Sequence, residues 1–195
     1  MSYQIEIIIT DGREVRAVYG SKDMSLFTKI KIDDHDEYDY LLENHFDLST
    51  KELSSKKLME NIINGTTDKY YTHLLIDKAN EKFGKSTLGA IYGYLERDIC
   101  LHYGKSINRN EDNWPMLTQY LDEFENRNRS YFKRPYSLDF PHAFCILNEE
   151  LDEYKKLYSS KLKEKYPENE NLKKDIEFIF DEARKEDMDI FLCNY

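Results

Sequence analysis

The stretch Ala90 to Gly104 reads AIYGYLERDICLHYG and places Glu96, Asp98, Cys100 and His102 close together in sequence. These side chains do acid–base and nucleophilic chemistry, so the segment is either a reaction centre or a packed helix that carries polar groups. Helical geometry separates the two readings. At about 100° per residue, with Leu95 at zero, Leu88, Ile91, Tyr92, Ile99, His102 and Tyr103 fall between about −40° and +80° as one apolar stripe. Cys100 lies at about 140°, so Cys100 and His102 project to opposite sides. They cannot form a nucleophile–base pair, which needs contact at about 3 Å. His102 is expected in mid-stripe, a neutral imidazole held by Asp98 one turn earlier. The far side carries Gly89, Ala90, Gly93 and Cys100, small residues that let a second element come close. The spacing predicts a central helix packed on two sides.

Outward from this helix, only seven Gly and four Pro punctuate 195 residues, which leaves room for long helices. YQIEIIIT (3–10) alternates and then runs apolar, the pattern of a strand ending at Asp11-Gly12. Segment 13–19 is ambiguous between strand and short helix. Ser21 reads as an N-cap before Leu26, Phe27 and Ile30, and DDHDEYDYLLENHF (33–46) continues helically with an acidic start that suits the helix dipole. Ser49 is expected to cap a helix carrying Leu53, Leu58, Met59, Ile62 and Ile63 and ending at Asn64-Gly65. Tyr71, Leu74, Leu75, Ala79 and Phe83 mark a helix before the central one, and a loop and helix follow it with Pro115 near the first turn. The locally basic segment 126–141 is expected to be mobile surface. HAFCIL (142–147) reads as a strand, Leu147 to Leu162 as an amphipathic helix broken at Pro167, Leu172 to Ala183 as the last helix, and DIFLCNY as a closing strand. The expected fold is therefore α+β and predominantly helical. It is a single domain over 1–195, with about six to seven helices and a small sheet from the N-terminal, 142–147 and C-terminal strands.

Charge narrows the partners. Twenty-eight Lys and Arg against thirty-eight Asp and Glu give a net charge of −10, which repels nucleic acid and anionic membranes and suits a basic partner. No segment approaches the roughly 20 apolar residues of a membrane span, and the N-terminus lacks the basic flank of a signal peptide. Cys100, Cys145 and Cys193 are spread along the chain without a paired framework. Buried thiols in a reducing, cytoplasmic setting are expected.

YGSKD (19–23), INGTTDK (63–69), YGYLERDICLHYG (92–104), LDFPHAFCIL (138–147) and DIFLCNY (189–195) resemble the landmarks of an uncharacterised bacterial family of unknown function. Tyr92, Tyr94, Cys100 and Gly104 occupy its central-helix positions, with Glu96 at the acidic one. The resemblance implies no activity and no catalytic residues.

Among candidate sites, Asp33, Asp34, Asp36, Glu37 and Asp39 form an acidic run around His35, with Tyr38 and Tyr40 interleaved. Its simplest use is a solvated helix start. The sharper reading is a partner-binding surface for a cationic cleft, with tyrosines as anchors. The run lacks the glycine and spacing of a calcium loop. Glu149, Glu150, Asp152 and Glu153 read as first-turn dipole partners. Asp98–His102 and His73–Asp77 share a four-residue spacing, but the Glu-x-x-His pattern of di-iron bundles is absent, and no metal or cofactor is expected. No G-x-S-x-G, H-E-x-x-H, Walker or G-x-G-x-x-G motif occurs. The leading expectation is a non-enzymatic binding protein, specifically an immunity protein that occludes the basic cleft of a cognate bacterial toxin. The alternative is a small hydrolase-like enzyme using His102 or His73 with nearby carboxylates.

Overall fold

The computed structural model describes residues 5–46, 53–68, 81–107, 129–137 and 142–194. Four strands appear in it: β1 (Ile5–Thr10), β2 (Gly104–Ser106), β3 (His142–Ile146) and β4 (Asp189–Asn194). They form one antiparallel sheet in the order β2-β1-β4-β3. The helices are α1 (Gly12–Val18), α2 (Leu26–Lys29), α3 (His35–Glu43), α4 (Ser55–Asn64), α5 (Glu81–His102), α6 (Leu151–Lys165) and α7 (Glu170–Lys185), which makes the fold α+β and mainly helical.

The sheet is covered on both faces, which explains why β1 runs apolar instead of alternating. Ile8, Phe191, Cys193, Ala143 and Cys145 face one core with α5, α4 and α3. Ile7, Ile9, Phe144, Ile146, Ile190 and Leu192 face a second core made with α6 and α7. The register agrees: Ile8 opposes Phe191 and Ile7 opposes Leu192, each pair on one face.

Helix α5 is central, as its pattern predicts. Leu88, Ile91, Tyr92, Leu95, Glu96, Asp98, Ile99 and Cys100 are all buried, from both sides of the wheel. On the small-residue side, a Cβ on Gly89 would stand 2.3 Å from the backbone carbonyl carbon of Tyr136. That contact admits glycine alone. His102 is exposed instead of lying in mid-stripe. The apolar periodicity outlasts the layers that cover it, and the last turn, from which the chain leaves for β2, opens to solvent. The ring of His102 sits edge-on to Tyr103, with centroids 4.7 Å apart.

Several boundaries differ from the sequence expectation. Segment 13–19 resolves into α1, because Asp11 accepts from the N–H groups of Arg13 and Glu14 and caps it. Ser21 caps no helix; its hydroxyl accepts from the Asp23 N–H in a local turn, and α2 begins only at Leu26. Ser54 caps α4 through the Lys57 N–H, whereas Ser49 lies outside the described residues. The pattern ends the helix expected through 71–83 at Gly84, but α5 runs unbroken from Glu81 across Gly84, a glycine inside a helix being tolerated; residues 71–80 and the helix after Pro115 lie outside the described residues. Strand β2 has three residues and no alternation, so it left no readable pattern.

Two of the quoted landmarks meet. The N–H groups of Gly20 and Lys22 donate to the carbonyls of Ile62 and Ile63 at 3.0 and 2.9 Å. Gly65 closes α4 in a left-handed conformation at φ 69°, with Gly20 packed against it. No described helix is long and apolar enough to cross a membrane.

Leu95→Ala and Ile99→Ala are expected to cost about 2–5 kcal/mol each, and Gly89→Ala at least as much because backbone must move. Denaturant unfolding measures all three, and a loss under about 0.5 kcal/mol for Leu95→Ala and Ile99→Ala would contradict the packing of α5.

Candidate functional site

The polar residues of the central helix are its most informative feature. Glu96 is fully buried and accepts three hydrogen bonds from the segment 129–137: the Ser130 hydroxyl and Tyr131 N–H each donate to Oε1 at 2.7 Å, and Arg134 Nε donates to Oε2 at 2.7 Å in a contact that is also an ion pair. Arg134 is buried in turn and also donates to the carbonyls of Gly89 and Pro135. Segment 129–137 is therefore not mobile surface. Tyr131 and Phe132 are buried, and Phe132 stacks on Tyr19 at 5.5 Å. Its two arginines pair within the fold, Arg129 being held by Glu150 at 2.6 Å, while Lys133 meets Asp68 at the surface at 3.4 Å. Glu150 thus lies in the 3-10 turn Asn148–Glu150, not in the first turn of α6.

The next residue, Arg97, gathers carboxylates from three parts of the chain. It pairs with Glu6 of β1, with its neighbour Asp98 at 3.2 Å, and with Asp33 at 4.0 Å. The buried Asp98 also accepts the Asp33 N–H at 3.4 Å. Burial pushes the Asp98 carboxyl up to about 7; Arg97 and the Asp33 N–H pull it down, while the charges of Asp33 and Asp34 push it further up. His102 has no part in holding it.

Three arrangements resemble catalytic sites, and each has a structural use. His35, Asp39 and Ser55 lie together, but Asp39 Oδ2 and Ser55 Oγ both meet the same ring nitrogen, His35 Nδ1, at 3.1 and 3.2 Å. A hydrolytic triad needs the acid on one nitrogen and the nucleophile on the other. Asp39 also accepts the Ser55 N–H at 2.6 Å, so the cluster ties α3 to the start of α4. The thiols are buried, and burial raises Cys145 and Cys193 to about 12 and Cys100 well above the ordinary thiol range. None supplies the thiolate that nucleophilic attack needs at neutral pH. Asp189 lies beneath a cleft of about 250 Å³ between α1 and the 3-10 turn. It accepts the Asn148 N–H at 2.8 Å and lies 3.7 Å from Arg16, so it serves as a junction between elements. His73 and Asp77 lie outside the described residues.

The acidic run divides in two. Asp33 is spoken for by Lys31 at 2.9 Å and by Arg97, and Asp39 by His35 and Ser55. Tyr38 is buried and stacks on Tyr94 at 5.2 Å, so it belongs to the core and cannot anchor a partner. Asp34, Asp36 and Glu37 are exposed, and no described cation pairs with them. Asp34 stands at the N-cap of α3 without making a cap bond. Tyr40 is 63% exposed, and Glu43 is exposed one turn beyond it. Helical spacing places Asp36, Glu37, Tyr40 and Glu43 on one face of α3. Glu43 escaped the sequence reading, although its i+3 distance from Tyr40 was the available signal.

A family model described as a domain of unknown function (DUF7691) matches residues 1–193. No curated protein matches the chain, and no solved structure does.

Glu96→Ala leaves Arg134 buried without its counter-charge and is expected to cost about 3–5 kcal/mol in denaturant unfolding. Asp98 yields a pH signature. Its folded pKa of about 7 exceeds the ordinary 3.8, so the folded state holds a proton that the unfolded chain releases between those values. Asp98 therefore makes stability fall as pH rises from about 4 to about 7, by at most about 4 kcal/mol, and adds no slope above that. Asp98→Asn should flatten this part of the profile, as urea unfolding of both proteins across the range will reveal.

Proposed function

The chain belongs to the DUF7691 family, whose function is unknown, and from its surface chemistry we propose a non-enzymatic binding protein that offers the outer face of α3 to a basic protein partner. The observation that carries this reading is the division of the acidic run. Asp33, Asp39, Glu96 and Asp98 pair within the fold, whereas among the described residues no cation pairs with Asp34, Asp36, Glu37 or Glu43, the last three sharing a helix face with the exposed ring of Tyr40. A row of free carboxylates steers a cationic surface toward itself, and an exposed tyrosine supplies amphipathic contact area once the surfaces meet.

The specific form of the proposal is an immunity protein acting in the cytoplasm. The acidic face occludes the basic cleft of a cognate bacterial toxin, so that substrate and inhibitor compete for the same positive field. The net charge of −10 supports long-range attraction to such a cleft. Against a hydrolase-like reading stand the shared ring nitrogen in the His35 cluster and the raised thiols.

The test begins with affinity purification from the native host and continues with binding kinetics against the captured partner at two salt concentrations. Replacing Asp34, Asp36 and Glu37 by Asn, Asn and Gln should lower the association rate about tenfold at low salt and flatten its salt dependence. Tyr40→Ala should raise the dissociation rate about 30-fold, the equivalent of about 2 kcal/mol. Folding stability should change by under about 1 kcal/mol in either protein. Unchanged rates in both would remove α3 from the interface.

A further inference from the structure

Arg97 is one guanidinium set against three carboxylates that converge from separate parts of the chain. Its side chain is 13% exposed, with Glu6 at 9%, Asp98 at 0% and Asp33 at 35%. Lys31 reaches Asp33 from solvent and leaves the interior imbalance in place. A low-dielectric pocket with more negative than positive charge relieves itself by taking up a proton, and the group with least access to water takes it first. That group is Asp98.

The same carboxylate is a backbone fastening. Helix α3 begins without help from its own N-cap, because the Asp34 side chain makes no cap bond. Asp98 reaches across from α5 to accept the Asp33 N–H immediately before it, at a relaxed 3.4 Å. We propose that Asp98 is a proton-operated latch on the start of α3: ionised, it draws in the Asp33 N–H and fixes the acidic face, and protonated, it lets that segment go. The proton comes from and returns to solvent, and no other group changes state.

The groups facing Asp98 set where the latch works. Arg97 lies beside it on α5, and Glu6 of β1 shares that guanidinium. Asp33, Asp34 and Lys31 act from the segment before α3. Tyr38 acts from α3, its hydroxyl buried without a hydrogen bond and its ring stacked on Tyr94. His102, one turn further along α5, is exposed. Burial and the two aspartates outweigh Arg97 and place the transition at about 7. An ionised carboxylate accepts a shorter and stronger hydrogen bond than a protonated one, so the Asp33 amide reports the state of the latch. What the latch means for a partner rests on the docking face proposed above, whereas the latch itself is read from the protein alone.

The experiment is an NMR titration of the full chain from about pH 5 to 8.5, following the Asp98 carboxyl carbon and the Asp33 amide. The Asp98 carbon should titrate near 7, and the Asp33 amide proton should move downfield with the same midpoint. In Asp98→Asn the amide should hold its low-pH position throughout. A wild-type Asp98 carboxyl that titrates below about pH 5 overturns the proposal. So does an Asp33 amide with a midpoint different from that of Asp98, a comparison within the wild type that needs no variant to fold.

Discussion

Glu96 and Arg134 are buried together as an ion pair, and the packing around α5 is arranged to accommodate them. A carboxylate fully removed from water is tolerable only with its charge matched and its lone pairs filled, and Glu96 receives a guanidinium, an amide and a hydroxyl from one short segment. The pair therefore fixes where segment 129–137 lies, and through it Tyr131 and Phe132 in the core and the backbone that leaves Gly89 no room for a side chain. The same logic runs along α5. Where the helix is surrounded, its buried polar groups draw partners from other elements: Glu6 comes to Arg97, and the Thr10 hydroxyl donates to the Cys100 carbonyl. A helix with a dry interior and polar groups ties the sheet, the small helices and the 129–137 segment into one arrangement.

Legibility in the sequence followed the range of the forces involved. Strands β1, β3 and β4 and the body of α5 were readable because burial on a periodic element writes its period into the residues. The close approach at Gly89 was readable too, from small residues spaced along one side. What stayed hidden was pairing at a distance. Nothing local marks Glu96 as the acceptor for Ser130 and Arg134, and the basic run 127–136 reads as solvated until those partners are known. His102 shows the converse error, since a wheel has no knowledge of where the covering layers stop. Within the acidic run, composition located the charged segment and identified Tyr40 as a candidate anchor, but could not tell which carboxylates the fold would consume. Tyr38 and Tyr40 differ by two residues, and helical rotation sends one into the core and the other into solvent.

That rotation also gives the proposed docking face its character. Inward, α3 contributes Tyr38 and Leu42 to the main core; outward, it carries charge and one ring. A surface backed by a packed core is presented without large rearrangement, so association is governed by the electrostatic approach and dissociation by what the ring contacts.

The sheet carries a consequence for the order of assembly. Its middle is the pairing of β1 with β4, in which Ile5 opposes Asn194 and Thr10 opposes Asp189. During vectorial synthesis β1 emerges long before β4 exists, and until then its Ile7-Ile8-Ile9 run can pair only with the three residues of β2 on its other edge. Helices α4 and α5 can form from local contacts in that interval, but the layer joining the two cores closes only after residues 189–194 are released. Pairing between strands this far apart in sequence slows folding and leaves an apolar strand waiting for its central partner.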